Sequence, residues 1–168
     1  MKIAVISDTH DNIWNLDKAL QIIKEKQCEA IIHCGDFCAP FSALRVVQSG
    51  LPVYAVFGNN DEDQWGIVER CKDHQFQVWP LGKEFAEIEL DGKKIAFCHY
   101  PKLGKLLGAT GDYQAVFHGH THVAYQERVG DTILANPGAV CGIVKWAPGP
   151  ASFGIHDTQT NTFGLINL

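Results

Sequence analysis

Three short apolar runs early in the chain constrain its fold more than any other feature. They are KIAVI at 2–6, AIIHC at 30–34 and PVYAVF at 52–57, and each has the length and composition of a strand buried on both faces. Helical patterns over 13–26 and 41–48 lie between them, the first with its apolar residues on one face. Because a helix that crosses between two strands places them parallel, the first half predicts a parallel βαβ layer.

The pattern changes after residue 75 to strands without long helices between them. EFAEIEL and KKIAFCH flank Asp91-Gly92, a dipeptide typical of a two-residue hairpin. Strand-like segments continue as QAVFHG, HVAYQERV, TILAN, PASFGIHD and TFGLINL. We therefore expect a mostly antiparallel second sheet that packs on the first, within a single domain over 1–168.

The charge and cysteine content exclude several classes of protein. With 14 basic and 19 acidic residues, a net charge of -5 and no basic stripe, the chain is not expected to bind long nucleic acid, although a small anionic substrate stays open. The amino-terminal apolar run is too short for a signal peptide or a membrane span, so we expect a cytoplasmic protein. The six cysteines form no CxxC pair, which favours reduced and packed thiols.

Polar side chains follow five of the predicted strands at the points where they end. In chain order they are Asp8 and His10, Asp36, Asn59, His99, and His120 and His122. Ligands of open α/β sheets bind beyond the carboxyl ends of the strands, so these ends are expected to converge. In extended backbone, residues i and i+2 point to the same side, which would let each D-x-H or H-x-H pair reach one centre.

This set contains four imidazoles, two carboxylates, one amide and no thiolate. Such ligands suit Mn, Fe, Ni, Co or Zn, and the lack of Cys disfavours a structural zinc site. Seven ligands are too many for one tetrahedral ion, whereas two ions about 3.5 to 4 Å apart, bridged by one carboxylate, would use all of them. The residues therefore predict a centre of two divalent metal ions.

Five ordered motifs span the chain, namely D-x-H, GD, GN-x-D, a single His on a later strand, and GHTH. In this order they resemble the calcineurin-like metallophosphoesterases, and with this chain length they most resemble the small bacterial and archaeal phosphodiesterases of the YfcE type. The resemblance implies an α/β fold, a four-layer αββα sandwich with mixed sheets. It also implies a metal-dependent enzyme that hydrolyses small phosphodiesters at a dinuclear centre, with Mn²⁺ as the first expectation and Ni²⁺, Fe²⁺, Co²⁺ or Zn²⁺ as the others.

The resemblance also assigns a role to each residue of the set. One ion is assigned to Asp8, His10 and His122, the other to Asn59, His99 and His120, and Asp36 bridges the two. A hydroxide that bridges the ions would be the nucleophile. Asp36, Asn59 and His99 are thereby catalytic as well as metal-binding residues, and Asp61 is expected to orient the site.

The chain departs from the family pattern at four positions near these motifs. Asn60 stands where protein-phosphatase relatives have a histidine that protonates the leaving group, so esters with good leaving groups are expected. Asp11 adds a negative charge near the expected entrance, and Tyr100 and Ala139 replace the usual glycine and serine. Because no Arg adjoins any motif, diesters are favoured over the more highly charged monoesters. The departures leave the substrate preference open.

Four further histidines receive a structural interpretation. His33 and His118 lie within predicted strands, and we expect buried imidazoles that support the site without binding metal. His74 and His156 have no chemical partner nearby in sequence and are expected in loops or at the surface.

The lysines and tryptophans outside the motifs are also given structural roles. Lys102 and Lys105 are placed in a solvated loop, with contact to a substrate phosphate as the alternative. The tryptophans are interpreted as core or interface aromatics, since no basic groove accompanies them as it would a base-stacking platform: Trp14, Trp65, Trp79 and Trp146. Exposed Trp and Phe side chains would allow a homodimer.

Two other functions stay open. A protein of this fold can serve as a protein-binding scaffold, as the similar retromer subunit does, but a scaffold would be expected to have lost metal ligands, and all seven are retained here. Metal storage or sensing is disfavoured, because a site with open water positions suits turnover better than retention.

Overall fold

The computed structural model describes residues 1–79 and 83–168. Its helices are α1 Ile13–Glu25, α2 Pro40–Val47, α3 Gln64–Cys71 and α4 Pro101–Thr110. Its strands are β1 Lys2–Ile6, β2 Ala30–His33, β3 Val53–Val56, β4 Phe76–Trp79, β5 Phe85–Leu90, β6 Lys93–Cys98, β7 Ala115–Phe117, β8 Tyr125–Val129, β9 Thr132–Asn136, β10 Ile143–Val144, β11 Ala147–Pro148, β12 Ser152–Asp157 and β13 Thr162–Asn167.

The first sheet has the strand order β13-β12-β1-β2-β3-β4. Strands β1 to β4 are parallel, with Val5 opposite Ile32 and Ile31 opposite Val53, so the predicted βαβ layer is confirmed. Its outer face packs on α1, α2 and α3 through a buried apolar cluster that includes Leu16 and Val46. Apolar side chains on both faces explain why these strands are continuous hydrophobic runs.

The second sheet has the order β5-β6-β7-β9-β8 and is mixed. Asp91 and Gly92 form the predicted two-residue turn between β5 and β6, with φ angles of 53° and 68°. The pairs β6–β7 and β7–β9 are parallel, because α4 and the segment after β7 cross over between them. Strands β12 and β13 belong to the first sheet, where β12 lies antiparallel to β1, so their expected place in a mostly antiparallel second sheet is wrong.

The two sheets pack face to face, and helices cover both outer faces. Val5 and Ile32 of the first sheet share a buried cluster with Phe97 and Phe117 of the second. Helix α4 covers the far face of the second sheet through Leu107, which packs with Val116 and Leu134. The four-layer αββα sandwich of mixed sheets is therefore confirmed.

Two of the helices were not predicted. Lys102 and Lys105 lie in α4, so their placement in a loop is wrong. Two glycines within PKLGKLLGAT lower its helix propensity, and packing against β6, β7 and β9 compensates. Helix α3 is short and also contains a glycine.

Burial corrects several residue assignments. His156 is fully buried between the sheets, with its ring 5.5 Å from that of Phe117, so its placement at the surface is wrong, whereas His74 is exposed as predicted. Trp14, Trp65 and Trp146 are 74%, 77% and 99% exposed, which rules out the core interpretation for these three. All six cysteines are free and five are buried, as predicted. Within the described residues, the helices are too short or too polar to cross a bilayer.

Candidate metal centre

All seven predicted ligands meet at one edge of the sandwich. Each lies just after the carboxyl end of its strand: Asp8 and His10 after β1, Asp36 after β2, Asn59 after β3, His99 after β6, and His120 and His122 after β7. Their donor atoms form two groups of three, and the seventh residue lies between the groups. The predicted convergence of five strand ends is therefore observed in this fold.

The first group consists of Asp8, His10 and His122. The Nε2 atom of His122 is 3.2 Å from Asp8 Oδ1 and 3.2 Å from His10 Nε2, and His10 Nε2 is 3.9 Å from Asp8 Oδ1. Asp8 is fully buried, and its hydrogen bond raises the pKa of His122 to about 11, with Cys141 contributing. A buried carboxylate thus draws positive charge to this position, and a cation could replace the proton.

The second group consists of Asn59, His99 and His120. Asn59 Oδ1 is 2.9 Å from His99 Nε2 and 2.8 Å from His120 Nδ1, and these two nitrogens are 3.2 Å apart. Burial lowers the pKa of His120, which favours its neutral, metal-binding form.

Asp36 lies between the two groups. Its Oδ2 atom is 3.4 Å from His10 Nε2 in the first group and 3.5 Å from His99 Nε2 in the second. The Asp36 side chain is almost fully buried, so its charge faces these imidazoles and not bulk water. One carboxylate oxygen is therefore within reach of both groups.

The spacing of the donor atoms fits bound cations. Two atoms that each lie about 2.1 Å from an ion, at right angles, are about 3.0 Å apart. The Nδ1–H group of His99 donates to the carbonyl of Cys34 at 2.8 Å, which leaves Nε2 as the ring nitrogen that can bind a metal. Nε2 faces the Asn59 oxygen at 2.9 Å, and a cation between them would contact both atoms.

The backbone at the site is mostly left-handed. Positive φ angles occur at five of the seven predicted ligands, namely Asp8 at 52°, His10 at 41°, Asp36 at 63°, His120 at 71° and His122 at 60°. The sequence argument from extended i, i+2 pairs is therefore wrong in its geometry. Asp8 and His10 do share a group, but His120 and His122 belong to different groups.

Two neighbours hold Asp36 in place. The Asp61 carboxylate accepts hydrogen bonds from the backbone N–H groups of Asp36, Cys38 and Gly58, at 2.9, 2.9 and 2.7 Å. Burial raises the pKa of Asp61, and these three bonds oppose the rise. Asn60 donates to the two Asp36 oxygens through its backbone N–H and its side-chain amide, both at 2.8 Å. The contact from Asn60 was not predicted.

His33 and His118 are buried supports, as predicted. His118 contacts the Tyr125 hydroxyl at 2.6 Å, and burial lowers its pKa. His33 stacks on Phe37 with ring centroids 3.5 Å apart, and burial lowers its pKa to about 3. Both rings are therefore neutral at pH 7.

Two of the departures from the family pattern, Asp11 and Tyr100, make contacts near the proposed ligands. Asp11 accepts hydrogen bonds from Ala39 N at 2.9 Å and Ser42 Oγ at 2.7 Å, which tie its carboxylate to the start of α2. It does not line the pocket over the two groups, so its placement at the entrance is wrong. Tyr100 is 45% exposed, and its ring lies 5.1 Å from that of His99 and 5.0 Å from that of His120.

A pocket of about 480 Å³ opens over the two groups. Besides predicted ligands it is lined by Asn60, Thr121 and Cys141, and by three residues of the β10–β11 hairpin, Ile143, Lys145 and Trp146. Sequence reasoning missed the hairpin, whose only signal was the polar and aromatic turn Lys145-Trp146. A larger groove of about 580 Å³ between α1 and α2 contains none of the predicted site residues.

Comparison with known proteins identifies the family of this chain. Residues 1–161 match the model of the calcineurin-like phosphoesterase superfamily domain. The chain is 33% identical to phosphodiesterase MJ0936 of Methanocaldococcus jannaschii, over all of this chain and 99% of that protein. It is 23% identical to phosphodiesterase YfcE of Escherichia coli K12, over 99% and 93% of the two chains.

Solved structures show the same fold. An archaeal phosphodiesterase, 32% identical, superposes over the full length of both chains with a TM-score of 0.89. Vps29 of Chaetomium thermophilum, 13% identical, covers all of this chain and 94% of its own with a TM-score of 0.71, which shows similarity of fold alone. From its motifs, its fold and these matches, we conclude that the chain belongs to the calcineurin-like phosphoesterase superfamily.

Proposed function

We propose that this protein is a metal-dependent phosphodiesterase that hydrolyses small phosphodiesters with good leaving groups at a centre of two divalent ions. The observation that carries the proposal is the pair of donor groups with Asp36 Oδ2 within 3.5 Å of an imidazole in each. The phosphodiesterase names of the relatives support it.

The proposed ligands of one ion are Asp8, His10 and His122, those of the other are Asn59, His99 and His120, and Asp36 is shared. Two divalent ions bound there would supply a hydroxide nucleophile near neutral pH and offset charge on the phosphorus oxygens. Nitrogen and oxygen donors of this kind suit Mn²⁺ first, with Ni²⁺, Fe²⁺, Co²⁺ and Zn²⁺ as alternatives.

Residues around the proposed ligands orient them and determine which leaving groups are favoured. Cys34 fixes the tautomer of His99, and Asp61 fixes the backbone that carries Asp36. Asn60 occupies the place of an imidazole acid, and its amide can donate a hydrogen bond but cannot release a proton at pH 7. The leaving group must therefore depart without a proton from this position, which favours esters of acidic alcohols and phenols.

The proposal is tested with bis(p-nitrophenyl) phosphate, with Mn²⁺ or Ni²⁺ added to protein first treated with a chelator. We expect Asp36→Ala and His99→Ala each to lower kcat/KM by about 100-fold or more, because each loses a proposed metal ligand. His74→Ala, at an exposed position just before the amino end of β4, is the control and should match wild type. Metal-loaded wild type no faster than the two ligand variants would refute the proposal.

The number and kind of ions need a separate measurement. We expect elemental analysis of metal-loaded wild type to give about two ions per chain, and fewer for Asp36→Ala. Protein purified without added metal identifies the ion that it acquires in the cell. One ion per chain in fully active wild type would exclude the dinuclear centre.

A second candidate is a protein-binding scaffold on the same fold. It is supported by exposed aromatic side chains in the first turns of three neighbouring helices, Trp14 of α1, Phe41 of α2 and Trp65 of α3. Binding of a partner protein by both wild type and Asp36→Ala would establish a scaffold role that does not depend on the metal ions.

A further inference from the structure

The β10–β11 hairpin has an unusual turn. Strands Ile143–Val144 and Ala147–Pro148 are joined by Lys145 and Trp146, with φ angles of 50° and 66°. Two-residue turns of this shape favour Asn-Gly, because in left-handed backbone a Cβ atom lies too close to the following carbonyl oxygen, a cost that Gly avoids and Asn tolerates best. The turn therefore retains two large side chains at a cost in backbone free energy, as residues that contact ligands often do.

The hairpin is attached to the candidate metal centre. The Nδ1–H group of His122 donates to the backbone carbonyl of Ile143 at 2.5 Å, so the base of the hairpin orients one of the proposed ligands. Ile143, Lys145 and Trp146 form one wall of the 480 Å³ pocket whose floor is made by the donor groups. A phosphate on this floor would place its ester groups beside the wall.

The side chains of this wall have the chemistry of a subsite for an ester group. Trp146 is 99% exposed, and a flat indole at the rim of a pocket can stack against a planar ring of the ligand. Lys145 is the single Lys or Arg among the described residues that line the pocket. One ammonium group suits the single negative charge of a diester.

On the basis of the function proposed above, we propose that the hairpin selects phosphodiesters in which the ester group that is not released carries a planar aromatic ring, as in a nucleoside ester. Trp146 stacks on that ring and Lys145 contacts a phosphate oxygen.

The test uses two diesters with the same leaving group. Thymidine 5′-(p-nitrophenyl) phosphate carries a planar base on the retained side, and methyl p-nitrophenyl phosphate carries none. We expect wild type to prefer the thymidine ester by about tenfold in kcat/KM, mainly through KM. Trp146→Leu should lose this preference, Trp146→Phe should keep part of it, and Lys145→Met should weaken both substrates equally.

Trp65→Leu is the matched control, because Trp65 is also an exposed tryptophan but lies on α3 outside the pocket lining. It should keep the wild-type preference. If Trp146→Leu lowers the rates on both esters by the same factor, Trp146 only holds the hairpin against His122, and the inference is wrong.

Ligand binding gives a readout that needs no turnover. Tryptophan fluorescence is titrated in the presence of Zn²⁺ with thymidine 5′-methyl phosphate, a stable diester, and with dimethyl phosphate. We expect saturable quenching by the thymidine ester alone, lost in Trp146→Leu and kept in Trp65→Leu. Quenching without hydrolysis of either nitrophenyl ester would refute the proposed function and leave the inference standing. Hydrolysis of both esters at equal kcat/KM would support the proposed function and refute the inference.

Discussion

At the scale of single residues, most of the proposed ligands have a backbone conformation that is unfavourable in free energy. Five of the seven proposed ligands have positive φ, and a left-handed L-residue costs about 1–2 kcal/mol. The cost has a geometric reason, because the chain must turn sharply where each strand ends to aim its side chains at the groups. Hydrogen bonds such as that from Asp8 N to Gly35 O, at 3.0 Å, hold these turns.

This cost predicts opposite effects of glycine at two ligands. His120 has φ of 71°, so His120→Gly should be more stable than His120→Ala by about 1 kcal/mol. His99 is not among the residues with positive φ, so His99→Gly should be less stable than His99→Ala by about 0.5–1 kcal/mol. Urea unfolding of the four variants with a chelator present measures both differences. If glycine is more stable than alanine at both positions, or less stable at both, the backbone conformation does not explain the difference.

Asp61 is predicted to stabilise the protein as well as the site. Asp61→Ala leaves three backbone N–H groups without their acceptor, at about 1–3 kcal/mol each when buried, so we expect a loss of about 3 kcal/mol in the free energy of unfolding. Asp63→Ala is the control, since Asp63 caps α3 through Gly66 N and should cost about 1 kcal/mol. Metal affinity should fall only in Asp61→Ala. Equal affinity in the two variants would show that Asp61 does not position Asp36.

The identity of the proposed ligands was predictable from sequence, but their supports were not. Asp, Asn and His just after apolar runs point to strand ends, and strand ends converge in any open α/β sheet. The hydrogen bond from Ala39 to Asp11 and those from Asn60 to Asp36 depend on which segments meet in space. The exposure of Trp146 likewise depends on the β10–β11 hairpin. This hairpin could not be predicted, because its sequence has no apolar periodicity.

At the scale of elements, α4 shows what local pattern reasoning misses. Gly104 and Gly108 disfavour a helix, but both lie on its buried side. A Cβ atom added to Gly104 would lie 2.8 Å from Cδ2 of His118, so the absence of a side chain lets α4 approach this imidazole. Tertiary packing therefore decides the helix, and propensity alone does not.

The two glycines should respond differently to alanine. Gly104→Ala is expected to lower the free energy of unfolding by about 1–2 kcal/mol, because the buried His118 ring must move. Gly108→Ala, whose added Cβ would lie 3.6 Å from a Leu134 methyl, is expected to raise it by about 0.5–1 kcal/mol through helix propensity. Thermal unfolding followed by circular dichroism compares them. A Gly104→Ala variant more stable than wild type would mean that α4 lies farther from the His118 ring than described.

At the scale of the whole molecule, the interface between the sheets was predicted in outline. Apolar runs and the hairpin at Asp91-Gly92 are sufficient to expect two sheets. The assignment of β12 and β13 to the first sheet was not predictable, because antiparallel strands of similar composition can extend either sheet. The same assignment buries His156, whose Nδ1–H group donates to the carbonyl of Thr162 at 3.1 Å.

The buried His156 predicts a loss of stability in acid. Burial lowers its pKa to about 4, against a usual value of 6.5, so between these values the unfolded chain takes up a proton that the folded protein excludes. Stability is complete above pH 6.5 and falls as the pH drops toward 4, by up to about 3 kcal/mol. We expect His156→Leu to lose less stability than wild type between pH 7 and pH 4.5. If the urea midpoints of the two proteins fall by the same amount over this pH range, His156 is not the source of the acid sensitivity.

The pairing of β1 with β12 has a consequence for biosynthesis. Ile3 lies opposite His156, and the turn after β1 is held by Val140 N on Ser7 O and Cys141 N on Asp8 O, at 3.1 and 3.0 Å. A ribosome that adds about 5–20 residues per second needs on the order of ten seconds between these segments. The nascent chain thus exposes its first carboxylate and imidazole before their neighbours exist. Under the proposed function, cations would bind only after these distant segments have come together, late in the folding of the chain.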